Sequence, residues 1–185
     1  MEAIQYVAEI VKELQQSAEQ IADAEAEKLA NLILQSKKVF IAGAGRSGLM
    51  GRAFAMRLMH TGANAYVVGE TITPGIDEGD VLIIGTGSGE TKSLIPMAQK
   101  AKSLGASVAA VTIAPESTIA SLADAVVKLP GSPKDQASGS YTTIQPMASL
   151  FEQTLLIFYD AVILRMMEKQ GQDNRRMYGR HANLE

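Results

Sequence analysis

Val81-Leu82-Ile83-Ile84-Gly85-Thr86-Gly87-Ser88-Gly89-Glu90-Thr91 runs from an unbroken apolar stretch straight into a loop of glycines and hydroxyls. A short, continuous run of branched apolar residues suits a strand buried on both faces. Similar runs occur at Val39-Phe40-Ile41-Ala42, Ala65-Tyr66-Val67-Val68, Val108-Ala109-Ala110-Val111 and Ala125-Val126-Val127. Residues 47–61, 91–104 and 116–123, lying between them, read as helices. Strand–helix alternation builds βαβ units, so the expected fold is α/β: a five-stranded parallel sheet covered by helices on both faces. The expected strand order is the flavodoxin-like 2-1-3-4-5. A long final helix is expected from Ile144 to about Lys169, ending at Gly171. The stretch 130–143 reads as a long loop, and long loops in compact domains are usually functional or mobile.

Upstream, Ile4, Val7, Val11, Leu14, Ala18 and Ile21 recur at alternating spacings of three and four. That is an a/d seam, packed either on its own domain or against a partner chain. Asp23 is placed to cap a second helix with Ala26, Leu29, Leu32 and Ile33 as its apolar stripe. The chain therefore divides into N-terminal helices for oligomer packing (1–36), a ligand-binding sheet domain (37–171) and a tail (172–185).

Composition narrows the function. A chain of 185 residues, 46% hydrophobic and 20% charged, favours one globular domain and excludes disorder. Seventeen basic against 20 acidic residues leave a net charge of −3, which argues against nucleic acid as a partner, since phosphate-backbone binding needs a basic face. The absence of cysteine excludes disulfides and thiolate chemistry, and two histidines cannot form a three-histidine metal site in one chain. The first 25 residues interleave charged and apolar types, unlike a signal peptide. Asp160 interrupts the greasiest stretch, 155–164, which falls short of the ~20 apolar residues of a membrane span. A soluble cytoplasmic protein is expected.

Two loops carry the chemistry. Gly43-Ala44-Gly45-Arg46-Ser47-Gly48 follows the first strand and formally matches the dinucleotide fingerprint G-x-G-x-x-G, with Glu70 after the second strand as the candidate ribose ligand. The second loop, residues 85–91, argues otherwise. In the order 2-1-3-4-5 both loops meet at the switch point between strands one and three, where open parallel sheets bind ligands. Together they offer hydroxyls from Ser47, Thr86, Ser88 and Thr91, and backbone amides at a helix start. That is an anion site, with Gly87 and Gly89 allowing close approach of the backbone. A pyrophosphate needs no set of converging hydroxyls. Neither loop matches G-x-x-x-x-G-K-[ST], which sets nucleoside triphosphate hydrolysis aside.

Thr86-Gly87-Ser88-Gly89-Glu90-Thr91 resembles the S-x-S-G-x-T phosphosugar motif of sugar isomerase (SIS) domains, Thr86 keeping the hydroxyl of the first serine. Within that family the chain is similar to the 6-phospho-3-hexuloisomerases over nearly its whole length. The matching blocks are residues 43–48, Met56-Arg57-Leu58-Met59-His60, residues 88–91, Gly131-Ser132-Pro133-Lys134-Asp135, Ile144-Gln145-Pro146-Met147, Phe151-Glu152-Gln153 and His181-Ala182-Asn183-Leu184-Glu185. The resemblance implies a single SIS-type domain that interconverts 3-hexulose 6-phosphate and fructose 6-phosphate, in formaldehyde fixation by the ribulose monophosphate pathway. It further implies a homotetramer and a functional partner in 3-hexulose-6-phosphate synthase.

Moving a carbonyl from C3 to C2 passes through a cis-enediol, and one carboxylate over one face can make both proton transfers. Glu152, in an otherwise apolar helix, is the best candidate, since burial makes a carboxylate a stronger base; the resemblance places the proton acceptor there too. The bland alternative is a glutamate paired with an arginine. Glu90 is the rival carboxylate, disfavoured as base by its place in a phosphate loop and kept as a substrate-binding candidate. Arg46 is placed to bind phosphate or polarise the enediolate, unless it is a solvated loop arginine. His60 ends the first helix after the crevice, and His181 lies in a tail with Arg175, Arg176 and Arg180. Both are secondary catalytic candidates against structural or solvated roles. Hydroxyls dominate and no ligand-spaced cluster is visible, so neither metal nor cofactor is expected. Two other classes stay open: a sugar-phosphate sensor without turnover, and a dinucleotide-dependent oxidoreductase.

Overall fold

A computed structural model describes residues 2–132 and 142–184. Most of the long loop, with Pro133, Lys134 and Asp135, lies outside the described residues. Two helices come first, α1 (Ala3–Ala18) and α2 (Asp23–Gln35). Then follow β1 (Val39–Gly43), α3 (Gly45–Thr61), β2 (Ala65–Val67), β3 (Val81–Gly85), α4 (Ile95–Ser103), β4 (Ser107–Thr112), α5 (Thr118–Leu122), β5 (Ala125–Lys128), α6 (Ser149–Gln170) and α7 (Asn174–Tyr178). The strands form one all-parallel sheet in the expected order, β2-β1-β3-β4-β5.

The strands are continuous apolar runs because both faces are covered. Val39, Ile41, Val81, Ile83, Ala109, Val111 and Val127 point to one face, where Leu29 and Ile33 of α2, Phe54 and Leu58 of α3, and Phe151, Leu155 and Tyr159 of α6 meet them. The Phe54 and Tyr159 rings stack with centroids 4.1 Å apart. Phe40, Ala42, Leu82, Ile84, Val108 and Ala110 face the other side, under Leu94, Ala98 and Ala101 near or in α4 and Ile119 of α5. Each face thus takes alternate residues of every strand. Of the N-terminal helices, α2 is part of this core. By contrast, α1 packs along α6 and leaves Ile4, Val7 and Val11 exposed. Among the described residues no helix is long and apolar enough to cross a membrane.

α3 and α5 begin two residues from their expected starts, at Gly45 and Thr118, and three further helix starts differ from the sequence reading for a physical reason. α4 begins at Ile95, not residue 91, because Pro96 occupies its first turn and residues 91–94 form a turn before it; proline's missing N–H is harmless only there. α6 begins at Ser149, not Ile144. Pro146 disfavours helical geometry at the residue before it, and Met147 sits at φ +58°, so no helix crosses 144–148. Asp23 does not cap α2: Ala22 holds that position without a side-chain bond, and Asp23 is the first helical residue, where its charge suits the helix dipole. The tail forms α7, capped by Asp173, which accepts from Arg176 N at 2.9 Å.

β1 and β3 are neighbours, and their register pairs Gly43 with Gly85 at the carboxyl end of the sheet. The chain leaves β1 toward the α3 face and β3 toward the α4 face, opening a cleft between the two exits. α3 starts close against β1: a side chain at Gly48 would meet the Gly43 carbonyl oxygen at 2.7 Å. Backbone does not yield like a flexible side chain, so Gly48→Ala is expected to destabilise the fold by ~1–3 kcal/mol. Urea unfolding checks this: the midpoint should drop at constant slope. An unchanged midpoint would mean that α3 can retreat from β1.

Candidate active site

The cleft at the Gly43–Gly85 junction is a crevice of about 370 Å³, whose lining includes Gly45 and Ser47 from the first loop and Gly85, Thr86, Gly87, Ser88 and Thr91 from the second. The two loops singled out in the sequence therefore meet. Ile113, Ser132 and Ala148 complete the lining. Sequence reasoning gave these no role; Ser132 stood in a quoted block, whereas Ile113 and Ala148 carry no chemical signal.

The second loop is fixed from beneath. Thr86 N donates to Val111 O at 3.0 Å, Ile113 N to Gly87 O at 3.2 Å, and Ile119 N to Gly89 O at 3.1 Å. Thr112 Oγ1 adds a bond to Gly87 O at 3.0 Å. Gly89 adopts φ +65°, and a side chain there would run into Ser117 Oγ at 1.9 Å. Only glycine suits this position on both counts. The loop hydroxyls are ordered too: Thr86 Oγ1 and Thr91 Oγ1 lie 3.2 Å apart, and Ser88 Oγ accepts from Glu90 N at 3.2 Å. Acceptance leaves the Ser88 hydroxyl hydrogen to be donated. The opening amides of α3 have no intrahelical partners and no side-chain cap. Hydroxyl donors, free amides and a helix start in one crevice suit a phosphate-sized anion.

Glu90 is turned to another task. Its Oε1 accepts from Thr118 N at 2.6 Å, so it caps α5 from outside and ties the loop to the β4–α5 connection.

Glu152 stands in the first turn of α6 and is buried, with 7% of its surface exposed. Arg46 Nη1 donates to Glu152 Oε2 at 2.9 Å and to Ser149 Oγ at 3.0 Å. The pair borders the crevice: Gly45 and Ser47, which flank Arg46, line it, and so does Ala148, whose carbonyl accepts from Glu152 N at 3.0 Å. The Arg46 side chain is 47% exposed, so it compensates a buried charge while staying in reach of solvent and ligand.

The histidines lie elsewhere in the chain. His60 is in the last turn of α3, about 22 Å along the helix from Gly45. Its ring stacks on that of His181, with centroids 5.5 Å apart. Arg180 Nη1 donates to His60 O at 3.1 Å, fastening the tail to α3 of the same chain. Burial holds His60 below the ordinary histidine value, and the charges of Arg57 and His181 add to this. The two rings line a second crevice with Arg57, Asp160, Leu164 and Tyr178. Glu70, the candidate ribose ligand, is instead paired with Arg52 at 2.8 Å on the surface. Among the described residues no three His, Asp or Glu side chains group closely enough to hold a metal ion.

Known proteins share this fold. The SIS domain pattern matches residues 32–157. The chain is 63% identical over 185 residues, the whole of both chains, to a 3-hexulose-6-phosphate isomerase of Bacillus subtilis. It is 45% identical over 157 residues, 85% of this chain and 78% of the relative, to the 3-hexulose-6-phosphate isomerase of Mycobacterium gastri. A crystal structure of a Methanococcus jannaschii protein, from which a 3-hexulose-6-phosphate isomerase function was inferred, superposes with a TM-score of 0.82 at 33% identity, covering 98% of this chain and 99% of that one. The chain belongs to the SIS domain family, in the branch that holds the 3-hexulose-6-phosphate isomerases.

Proposed function

We propose that this protein is an isomerase that interconverts 3-hexulose 6-phosphate and fructose 6-phosphate through a cis-enediol. One observation carries the reading: a hydroxyl-lined anion crevice lies directly beside a buried carboxylate. The full-length relative from B. subtilis supports the choice of substrate. The phosphate sits against the hydroxyls of Ser47, Thr86, Ser88 and Thr91 and the amides of the glycine loop. Glu152 takes the proton from C2, and that electron pair becomes the C2=C3 bond as the C3 oxygen gains negative charge. Arg46 stabilises this oxygen. The carboxylic acid then returns its proton to C3, while the O2 hydroxyl proton passes to O3, directly or through a solvent molecule that gives O3 a proton in exchange, leaving the ketone at C2 and a hydroxyl at C3.

The Arg46–Glu152 pair also supports a second reading, a sugar-phosphate-binding module without turnover, since the carboxylate is engaged by the guanidinium. Incoming sugar hydroxyls must share or replace those bonds for Glu152 to act as a base. His60 and His181 are beyond reach of the crevice in their own chain. We assign them to the crevice of a neighbouring subunit in a homotetramer, where an imidazole would assist ring opening of fructose 6-phosphate. Exposed apolar side chains support assembly: Ile4, Val7 and Val11 on α1, Met56 on α3, and Ile157 and Leu164 on α6. We place the reaction in the cytoplasm, in formaldehyde fixation by the ribulose monophosphate pathway, with 3-hexulose-6-phosphate synthase supplying the substrate.

Three measurements test this assignment. Ser88→Ala and Thr91→Ala each remove a hydroxyl aimed at an anion, and sugar-phosphate affinity should fall about ten-fold or more; unaltered affinity in both would place the phosphate elsewhere. Glu152→Gln should still bind substrate but lose ~100-fold or more of turnover in both directions. Exchange of the C2 proton in deuterated water should fall with it. Near-normal exchange would remove Glu152 as the base, and a wild type that binds without turnover would leave the binding module. Val11→Lys should dissociate the assembly in sedimentation, because an unpaired charge in an apolar seam is costly; an intact tetramer would show that α1 is not the contact.

A further inference from the structure

Glu13 lies on α1, far in sequence from both loops, yet its carboxylate holds the segment that leads to the base. Oε2 accepts from Thr143 Oγ1 at 2.6 Å and from Gln145 Nε2 at 2.9 Å, and Oε1 accepts from Ile144 N at 2.9 Å. Thr143 Oγ1 accepts in turn from Gln145 N at 3.1 Å. Donors from three consecutive residues thus converge on one carboxylate. Burial pushes the Glu13 carboxyl up, but the bonds from Thr143, Gln145 and Ile144 more than reverse this and leave it below its ordinary value. It is charged at neutral pH, as an acceptor of three donors must be.

The segment it holds has little structure of its own. Residues 144–148 belong to neither helix nor strand. Met147 sits at φ +58°, a region that a non-glycine residue occupies only when its surroundings require it. From there the main chain is tied forward: Ser149 N donates to Pro146 O at 3.2 Å, and Glu152 N to Ala148 O at 3.0 Å. Ala148 lines the crevice, and Ser149 and Glu152 both accept from Arg46. An unbroken series of bonds therefore runs from α1 to the crevice wall and the carboxylate beside it.

We propose that Glu13 is a positioning residue for the reaction: by fixing residues 143–145 it sets where Ala148 walls the crevice and where Glu152 stands. The proposal rests on the isomerase reading above. It gives the buried Gln145 a purpose, and it makes α1 a part of the active site although no residue of α1 lines the crevice. A purely stabilising contact would serve anywhere along α1; this one ends at the start of the helix that carries the base.

The test uses the full-length protein with Glu13→Gln and Thr143→Val. Glu13→Gln keeps the shape but turns one acceptor into a donor facing donors, and Thr143→Val deletes one donor with little change of volume. For Glu13→Gln, kcat should fall about ten-fold or more while KM stays within about two-fold, because misplacement of a catalytic group weakens the transition state rather than phosphate binding. Amide hydrogen exchange should quicken at Ile144 and Glu152 and stay unchanged in β3. Thr143→Val should move both quantities the same way by less. Adding Gln145→Glu to Glu13→Gln swaps acceptor and donor across the pair and should restore part of kcat. A wild-type kcat in Glu13→Gln, or unchanged exchange at Ile144 and Glu152, overturns the positioning role and leaves the isomerase reading intact. A wild type that does not convert the sugar phosphate overturns the isomerase reading, and this proposal with it.

Discussion

The absence of side chains where β1 and β3 end is the constraint on which the rest of the site depends. Gly43 and Gly85 are register partners at the one junction where the chain departs to opposite faces of the sheet. A side chain on Gly43 would meet the Gly48 backbone at 2.9 Å, and one on Gly85 would meet the Tyr159 hydroxyl at 2.8 Å. Bare backbone there lets α3 begin two residues after its strand and lets α6 cross beneath the second loop. Both contacts are needed at once. Without the first, the amides of α3 would not open into the crevice; without the second, α6 would stand away from it and Glu152 would not border it. Fold and site share a cause in this close approach.

Two classes of interaction then divide the work. The second loop is held by backbone and hydroxyl bonds to the β4–α5 connection, all between uncharged groups, and by the one bond that Thr118 N donates to the Glu90 carboxylate. Such a loop is preorganised: its donors need not rearrange when an anion arrives. The carboxylate side is built differently. Glu152 is buried and charged, a state that costs several kcal/mol unless paired, and its partner Arg46 comes from the other loop. A fully buried partner would leave the pair inert. A half-exposed one keeps the charge compensated and leaves the guanidinium open to solvent.

Much of this was legible in the sequence. Continuous branched runs marked all five strands because burial on both faces leaves no alternation to confuse with a helix. The glycine loops gave the switch point, since each follows a strand and opens toward a helix. The helix starts were harder: 91–94 and 144–148 adjoin helical stretches with no glycine to end them, and only the backbone geometry around Pro96, Pro146 and Met147 keeps the helices from reaching them. The roles of single charges were harder still. Glu90 and Glu152 both look like candidate carboxylates, but their partners, Thr118 and Arg46, stand 28 and 106 residues away. The separation between Glu13 and Thr143 is 130 residues. Pattern reading reaches across a few helical turns; contacts of that range exist only once the sheet has brought the chain together.

α6 is where core and crevice meet. Its sequence is apolar on nearly every side, which in contact with water demands cover all round. Within the subunit, α1, α2 and α3 supply most of it, yet Ile157 and Leu164 remain exposed. The same helix places Glu152 in its first turn, where the dipole favours a carboxylate. Any contact that covers the outer face of α6 therefore bears on the helix that carries Glu152, and a contact at Glu13 of α1 reaches the segment just before it. In the proposed reaction Glu152 needs a fixed address to within a fraction of an ångström. Placing it at the start of the most thoroughly packed helix, with the preceding turn tied down from a second element, meets that demand without a rigid loop at the mouth of the crevice.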